Sequence, residues 1–312
     1  MNPLSSLFLF LASFFWGISI PIMKALGTEQ AILAPQAGTL GSSAASLGMR
    51  FGGAALVIAL CARISPFRIL GIEWKNGAVL GIITAVSMCL QVDGLNYTSA
   101  STAGFLIALY CVLIPLFLWI ARKRKMTLIL ALCCLLVMVG MAALTGIDPR
   151  NFALGRGEWE SLGAAALFSC QILWVDRVVP GTYNPVRLTW VLCATVALFC
   201  FAALALLPGG LPVLLAAHAS TRAALLTAFL SLFGTALPFL IMNRYQSKVG
   251  PITAGFIYCF EPIAAALGAL FLPSLLIRAG AVYANETFSL RLALGGGLIL
   301  AANLLLLRDP AK

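Results

Sequence analysis

The chain alternates long apolar stretches with short polar connections. A helix that crosses a bilayer needs about 20 mainly apolar residues, and ten stretches meet this requirement. They are Leu4–Leu26, Ser43–Ala62, Gly77–Leu95, Thr102–Ala121, Thr127–Gly146, Trp159–Val175, Leu188–Leu207, Ala223–Met242, Ile252–Leu272 and Ser289–Leu307. The sixth has the weakest signal, because Gln171 and Asp176 shorten its apolar part. The pattern predicts an all-α polytopic membrane protein with ten transmembrane helices.

Composition supports this interpretation and narrows the classes of partner. Hydrophobic residues make up 62% of the 312 residues and charged residues only 10%, whereas soluble domains have about 25% charged residues. The net charge is +10, but the basic residues lie between the apolar stretches, where they orient helices and contact lipid headgroups. We therefore expect a lipid bilayer as the partner, and no nucleic acid.

Cysteine and histidine usage gives no sign of a cofactor. The nine cysteines lie in apolar stretches without CxxC spacing, and the chain has one histidine, His218. Buried cysteines in such stretches act as small hydrophobic residues, and metal sites need clustered ligands. We expect no disulfide framework, no metal and no cofactor.

The distribution of basic residues predicts the orientation of the chain. The densest basic run, Arg122–Lys125, lies between the fourth and fifth stretches. Cytoplasmic loops carry an excess of Lys and Arg, and a cytoplasmic position for this run also places most other basic loop residues inside. Both termini are then cytoplasmic. The expected location is the cell membrane, most simply a bacterial inner membrane, with multiple crossings.

A short sequence repeat divides the chain into two halves. The tetrapeptide Thr-Ala-Gly-Phe occurs at Thr102–Phe105 and at Thr253–Phe256, which begin 151 residues apart. Each copy follows a tyrosine and precedes a proline, namely Tyr97 and Pro115, then Tyr245 and Pro262. Five helices per half is an odd number, so the second half enters the membrane inverted. The predicted repeats are residues 1–147 and 158–308.

Inverted repeats favour a transporter over other membrane proteins. They recur in secondary transporters, where two gates open alternately around a central site. A membrane enzyme needs clustered acids, histidines or metal ligands, and the ten acidic residues are scattered. A channel favours rings of pore-lining charge. We therefore expect a carrier that works by alternating access and is not an enzyme; a channel or a membrane-embedded enzyme is the less favoured alternative.

Several motifs resemble one transporter family. The segment Gly94–Phe105, followed by Pro115, resembles the junction of the third and fourth helices of the EamA family, in the drug/metabolite transporter superfamily. Similar elements follow in the family's order: Trp16-Gly17, Met49–Phe51, Gln171–Arg177, Phe260–Pro262, and Glu286 with Gly295–Ile299. The chain departs at Arg124–Met126, where the family often has a glutamate, and in the additional stretch Pro273–Ala284.

The resemblance implies a ten-helix carrier that exports small metabolites, commonly amino acids, amines or drugs. A nucleotide-sugar or phosphate-sugar carrier of the same superfamily is the nearest alternative. Such an anionic ligand calls for more basic residues in the cavity than Lys24 and Arg50. A monomer and a homodimer both remain open.

Glu261 is the strongest candidate for substrate binding or coupling. A carboxylate deep in a bilayer is costly unless it faces a cavity or a partner. It is therefore a candidate for exchanging a proton as the cavity opens and closes. Tyr258 lies three residues earlier, on the same face of the predicted helix. The alternative is structural, with Glu261 capping backbone groups beside Pro262 or pairing with a basic residue.

Basic and aromatic residues in other predicted helices complete the candidate cavity. Arg50 and Lys24 are positioned to attract an anionic group of a substrate. Lys24 equally suits a snorkelling role at the headgroups, and Arg50 an ion pair. Trp16 and Tyr110 are candidates for substrate contact, although membrane aromatics commonly pack or anchor helices.

The repeat also predicts pivots and gates. Pro115 and Pro262 each remove a helix hydrogen bond and are either paired pivots or static kinks. Two polar pairs at opposite membrane faces are candidates for gates: Asn96 with Tyr97, and Asn243 with Tyr245. Ordinary polarity at the membrane interface is the alternative explanation for both pairs.

Overall fold

Helices form nearly all of the chain that the computed structural model describes. The structure describes residues 3–65, 69–94, 97–98, 100–121, 123–145, 154–178, 184–207, 209–276 and 288–307. The α-helices are α1 (Pro3–Leu33), α2 (Gly38–Ala62), α3 (Gly71–Gly94), α4 (Ala100–Ala108), α5 (Tyr110–Ile120), α6 (Leu128–Thr145), α7 (Arg156–Val178), α8 (Pro185–Leu206), α9 (Gly210–Ala217), α10 (Thr221–Ser231), α11 (Leu237–Tyr245), α12 (Pro251–Tyr258), α13 (Glu261–Ala269), α14 (Leu272–Leu276) and α15 (Leu290–Leu306).

The all-helical prediction is confirmed, and the described residues of each of the ten predicted stretches fall mainly on helix. Within the described ranges, seven helical spans are long and apolar enough to cross a membrane: Pro3–Leu33, Pro35–Ala62, Gly71–Gly94, Thr102–Ile120, Pro185–Leu206, Thr221–Lys248 and Pro251–Ala269. Leu128–Leu144 and Leu290–Leu306 are apolar but shorter. The sixth stretch is helical as α7, but is not among these spans. Ten crossings therefore remain a prediction.

Three predicted helices are interrupted near their middle. The fourth predicted helix is divided between α4 and α5 at Leu109, and the ninth between α12 and α13. The eighth contains a π-helical turn, Leu232–Ala236, between α10 and α11. Pro115 lies inside α5, six residues beyond the first interruption. The predicted continuous face from Tyr258 to Glu261 is therefore broken.

Prolines account for two of these interruptions, and side chains from other helices satisfy the backbone. Proline has no N–H, so the carbonyl four residues earlier loses its usual donor. For Pro262 that carbonyl belongs to Tyr258, and it accepts a hydrogen bond from Ser13 Oγ of α1 at 3.2 Å. For Pro238 it belongs to Gly234, and it accepts from Arg50 Nη2 of α2 at 2.6 Å.

Small residues allow the helices to approach closely. A Cβ added at Gly17 of α1 would lie 2.4 Å from the carbonyl oxygen of Glu261 and 2.6 Å from the Cβ of Ala264. In α6 and α15, a Cβ at Gly140 would lie 2.9 Å from the carbonyl oxygen of Gly295. These contacts fit the close packing that small residues permit between membrane helices. The first one fixes α1 against the start of α13.

The helices of the two halves of the chain pack extensively on one another. α2 packs on α8, and α6 on α15. α1 packs on α10 to α13, and α7 packs on α3, α4 and α5. The largest buried apolar cluster runs through most of these helices. The interrupted helices therefore meet α1 and α7 near the centre of the molecule.

Candidate functional site

Glu261 is the first residue of α13 and directly follows the interruption of the ninth predicted helix. Its side chain is half-buried. Among the described residues, no side chain or backbone group donates a hydrogen bond to its carboxylate, and no basic group lies within the 4.0 Å of an ion pair. Arg50 and Tyr110 are its electrostatic neighbours. The Glu261 carboxylate therefore forms no hydrogen bond and no ion pair with the described part of the protein.

Arg50 is buried in α2 and is held by the interrupted eighth helix. Its Nε donates to Thr235 Oγ1 at 2.5 Å and its Nη2 to the carbonyl of Gly234 at 2.6 Å. Nη1 contacts Met23 Sδ at 3.0 Å. The planar guanidinium has donors in fixed directions, which suits this arrangement. Arg50 thus supplies a fixed positive charge near Glu261 without a direct ion pair.

A cluster of aromatic rings adjoins Arg50, whose guanidinium lies 5.8 Å from the centroid of the Phe51 ring. The Trp16 ring contacts the rings of Phe239 and Tyr258 edge-on, with centroids 5.5 and 5.3 Å apart. Phe51 contacts Phe239 at 5.7 Å. Tyr110 is buried at the start of α5. The structure therefore brings together five of the sequence-predicted candidates, namely Glu261, Tyr258, Arg50, Trp16 and Tyr110.

Lys24 lies apart from this group. It is exposed on α1, seven residues beyond Gly17, which corresponds to about 10 Å along a helix. An exposed lysine on the outer surface of a membrane helix fits the snorkelling alternative.

A charged network lies beside Tyr97, where α3 ends and α7 begins. Arg156 pairs with Asp93 at 2.6 Å and with Glu160 at 2.7 Å, and its guanidinium lies 4.2 Å from the centroid of the Tyr97 ring. Asn96, the other predicted member of this gate, lies outside the described residues, as does Glu286. Arg156 was not among the predicted site residues, although its i,i+4 spacing to Glu160 indicates an ion pair on a helix.

An aromatic contact lies beside Tyr245, between α11 and α12. The Tyr245 ring stacks on Phe8 of α1 with centroids 4.5 Å apart. Lys248 Nζ lies 4.9 Å from the Tyr245 ring centroid. Asn243 is buried, and its Nδ2 donates to Thr189 Oγ1 at 2.9 Å. Tyr97 therefore contacts the first residue of α7, and Tyr245 contacts α1.

A buried polar chain that the sequence analysis also missed leads away from Tyr258. Its hydroxyl donates to Gln246 Oε1 at 3.0 Å, and Gln246 Nε2 donates to the carbonyl of Ile172 at 2.8 Å. Gln246 is fully buried although it follows α11 in a polar turn. Gln246 lies in a turn between two basic residues, and such turns usually face solvent. Its buried hydrogen bonds were therefore not predicted from the sequence. In the described ranges, no group of three or more His, Cys, Asp or Glu residues could hold a metal.

Long apolar helices around a charged and aromatic centre define a multi-pass helical membrane protein. The EamA-like transporter family matches residues 3–146. This match agrees with the sequence resemblance to that family, which is part of the drug/metabolite transporter superfamily.

A curated relative and a solved structure are also similar to the chain. An uncharacterized transporter from Archaeoglobus fulgidus is 30% identical over 117 residues, which are 38% of this chain and 36% of the relative. The chain thus spans about a third of the length of the curated relative it matches. A protein of known crystal structure superposes with a TM-score of 0.67 over 98% of this chain and 97% of the other, at 16% identity. This second similarity concerns the fold alone.

Proposed function

We propose that the chain is a secondary transporter that moves small metabolites by alternating access. The observation that carries the proposal is Glu261, an acid at an interrupted membrane helix that no described residue neutralises directly. Unwound or interrupted helices at mid-membrane form the binding sites of many secondary transporters. The carboxylate is available to a substrate ammonium group or to a proton.

The charges and rings around Glu261 favour a small amine or amino acid as the substrate. Arg50 offers a positive charge to a carboxylate, and Glu261 offers a negative charge to an ammonium group. Trp16, Tyr110 and Tyr258 present aromatic surface to an apolar side chain and attract cations through their ring faces. A nucleotide-sugar carries several negative charges, which one arginine balances poorly.

The packing of the helices supports two inverted repeats, residues 1–147 and 158–308. In the first half α1 packs on α10, α11, α12 and α13, and in the second half α7 packs correspondingly on α3, α4 and α5. Under this symmetry α2 corresponds to α8, and α6 corresponds to α15. The two members of each pair pack on each other. In this arrangement the turns at Tyr97 and Tyr245 are the two gates, and the basic loops place both termini in the cytoplasm.

Transport in proteoliposomes with Glu261→Gln tests the proposal. We would measure uptake and exchange of radiolabelled amino acids and of a monovalent organic cation, with and without a pH gradient. Gln keeps the size of the side chain but neither carries a charge nor exchanges a proton. We expect pH-driven uptake to be lost, while exchange persists with weaker binding of substrates that carry an ammonium group, and membrane insertion is unchanged.

Glu29→Gln is the matched control, because Glu29 is a buried acid in α1 outside the candidate site, and a Gln amide oxygen can still accept the hydrogen bond that Ser220 Oγ donates there. It should transport like the unmodified protein. Unchanged pH dependence in Glu261→Gln would refute the coupling role. Flux that does not saturate and appears as single-channel currents would instead establish a channel.

A further inference from the structure

Four buried polar atoms lack a hydrogen-bond partner among the described residues and lie in the same part of the molecule. They are Trp16 Nε1, Gln171 Oε1, Trp174 Nε1 and Asn243 Oδ1. Gln171 and Asn243 are 4% and 0% exposed. A buried polar group without a partner costs about 1–3 kcal/mol, and almost all such groups in native proteins are satisfied by protein or by bound water.

Contacts connect these atoms into one region. The Trp16 ring lies against Tyr258, whose hydroxyl reaches Gln246. Gln246 in turn bonds the backbone of Ile172, which directly follows Gln171 and lies two residues before Trp174. Gln171 Nε2 lies 3.9 Å from Met242 Sδ, and Asn243 is the next residue. The region therefore extends from Trp16, beside the start of α13, to the ends of α7 and α11.

The chemistry of the four atoms identifies the ligand. Two are indole N–H donors and two are amide oxygen acceptors, and no charged group is among them. A water molecule donates and accepts hydrogen bonds equally, and buried waters typically make about three bonds to such groups. The same groups offer nothing that neutralises an ion.

We propose that this region, which we call the α7–α11 polar region, binds a chain of water molecules that hydrates Glu261 from the membrane face where α7 and α11 end. This proposal rests on the proposed function and deepens it, because it supplies a path for the proton that Glu261 would exchange. The titratable groups on this path are Tyr258 at its inner limit and Asp176 at the end of α7. Arg177, whose guanidinium lies 5.8 Å from the Trp174 ring centroid, is the adjacent fixed charge.

Radiolytic hydroxyl labelling of the full chain in proteoliposomes tests the water directly. Hydroxyl radicals form in situ from water and oxidise the side chains that lie next to it. Met242 and Met141 are a matched pair, because both are 1% exposed and both belong to the main apolar cluster. We expect Met242, Trp16 and Trp174 to be oxidised several-fold faster than Met141. Equal rates for the two methionines would overturn the proposal, whatever the protein transports.

A second variant tests the functional part. Gln171→Leu replaces one unsatisfied acceptor by an apolar side chain of similar size. We expect slower oxidation of Met242 and a several-fold slower pH-driven uptake, with exchange retained. Slower oxidation with unchanged pH-driven uptake would overturn the proton path. Loss of all transport in Glu261→Gln, including exchange, would contradict the proposed coupling role of Glu261. It would not affect the conclusion that the labelling gives about the water molecules.

Discussion

The crossing of α1 over α13 gives a prediction that needs no knowledge of the substrate. In Gly17→Ala the new methyl group would lie 2.4 Å from the carbonyl oxygen of Glu261 and 2.9 Å from the backbone nitrogen of Ala265. Ordinary contacts begin near 3.4 Å, so the helices must separate by about 1 Å. Backbone atoms cannot rotate away as a side chain can. Overpacking of this kind costs about 1–3 kcal/mol.

The assay is thermal unfolding of the purified protein in detergent, followed by transport in proteoliposomes. Gly27→Ala is the matched control, since it makes the same change in the same helix where a Cβ meets nothing within 4 Å. Alanine is a better helix former than glycine by about 0.5–1 kcal/mol, so the control should gain slightly in stability. We expect Gly17→Ala to unfold on the order of 5 °C below the control.

Displacement of α1 should also disturb Glu261, whose backbone forms the other side of the contact. We therefore expect reduced transport in Gly17→Ala and unchanged transport in Gly27→Ala. Equal unfolding temperatures for the two variants would refute the close crossing and the placement of Trp16 beside the start of α13.

Two further predictions concern single polar side chains. Arg50→Lys keeps the charge but loses the planar guanidinium that donates to both Thr235 and the Gly234 carbonyl. We expect the free energy of unfolding to fall by about 1–3 kcal/mol. An unchanged unfolding temperature would contradict this expectation. His218 is neutral in the fold, since burial lowers its pKa; its stabilising effect is complete above the unfolded pKa of about 6.5 and is lost as the pH falls. Stability measured from about pH 7.5 to 5 should therefore decline less in His218→Gln, and parallel profiles would contradict the assignment.

The positions of the helices were predictable because lipid imposes one rule on every crossing segment. A segment must be apolar and must satisfy its own backbone hydrogen bonds, so hydropathy locates it. The interruptions were less predictable. Pro262 signals the one at Tyr258, but Pro115 lies within α5, six residues from the break at Leu109. A sequence shows where a donor is missing, but not which neighbouring packing stabilises a break elsewhere.

The charged residues at the centre of the candidate site were readable from the sequence, because charge is rare in membrane helices. Glu261 and Arg50 stand out in a chain with 10% charged residues. Their relationship was not predictable, since the groups that hold Arg50 are a hydroxyl and a backbone carbonyl. Gln246 and Gln171 were hidden for a similar reason, because an amide in a polar turn or near a helix end normally faces solvent.

The two carbonyls freed by prolines have a mechanical consequence. Neither the Tyr258 carbonyl nor the Gly234 carbonyl regains its usual donor when its helix bends or straightens, because the proline is permanent. Each depends on a donor from another helix, Ser13 of α1 or Arg50 of α2. If those helices separate, either water hydrogen-bonds to the freed carbonyl or the protein loses about 1–3 kcal/mol of stability. Helix movement and wetting of the centre then occur as one event, and a dry, half-open intermediate is unfavourable.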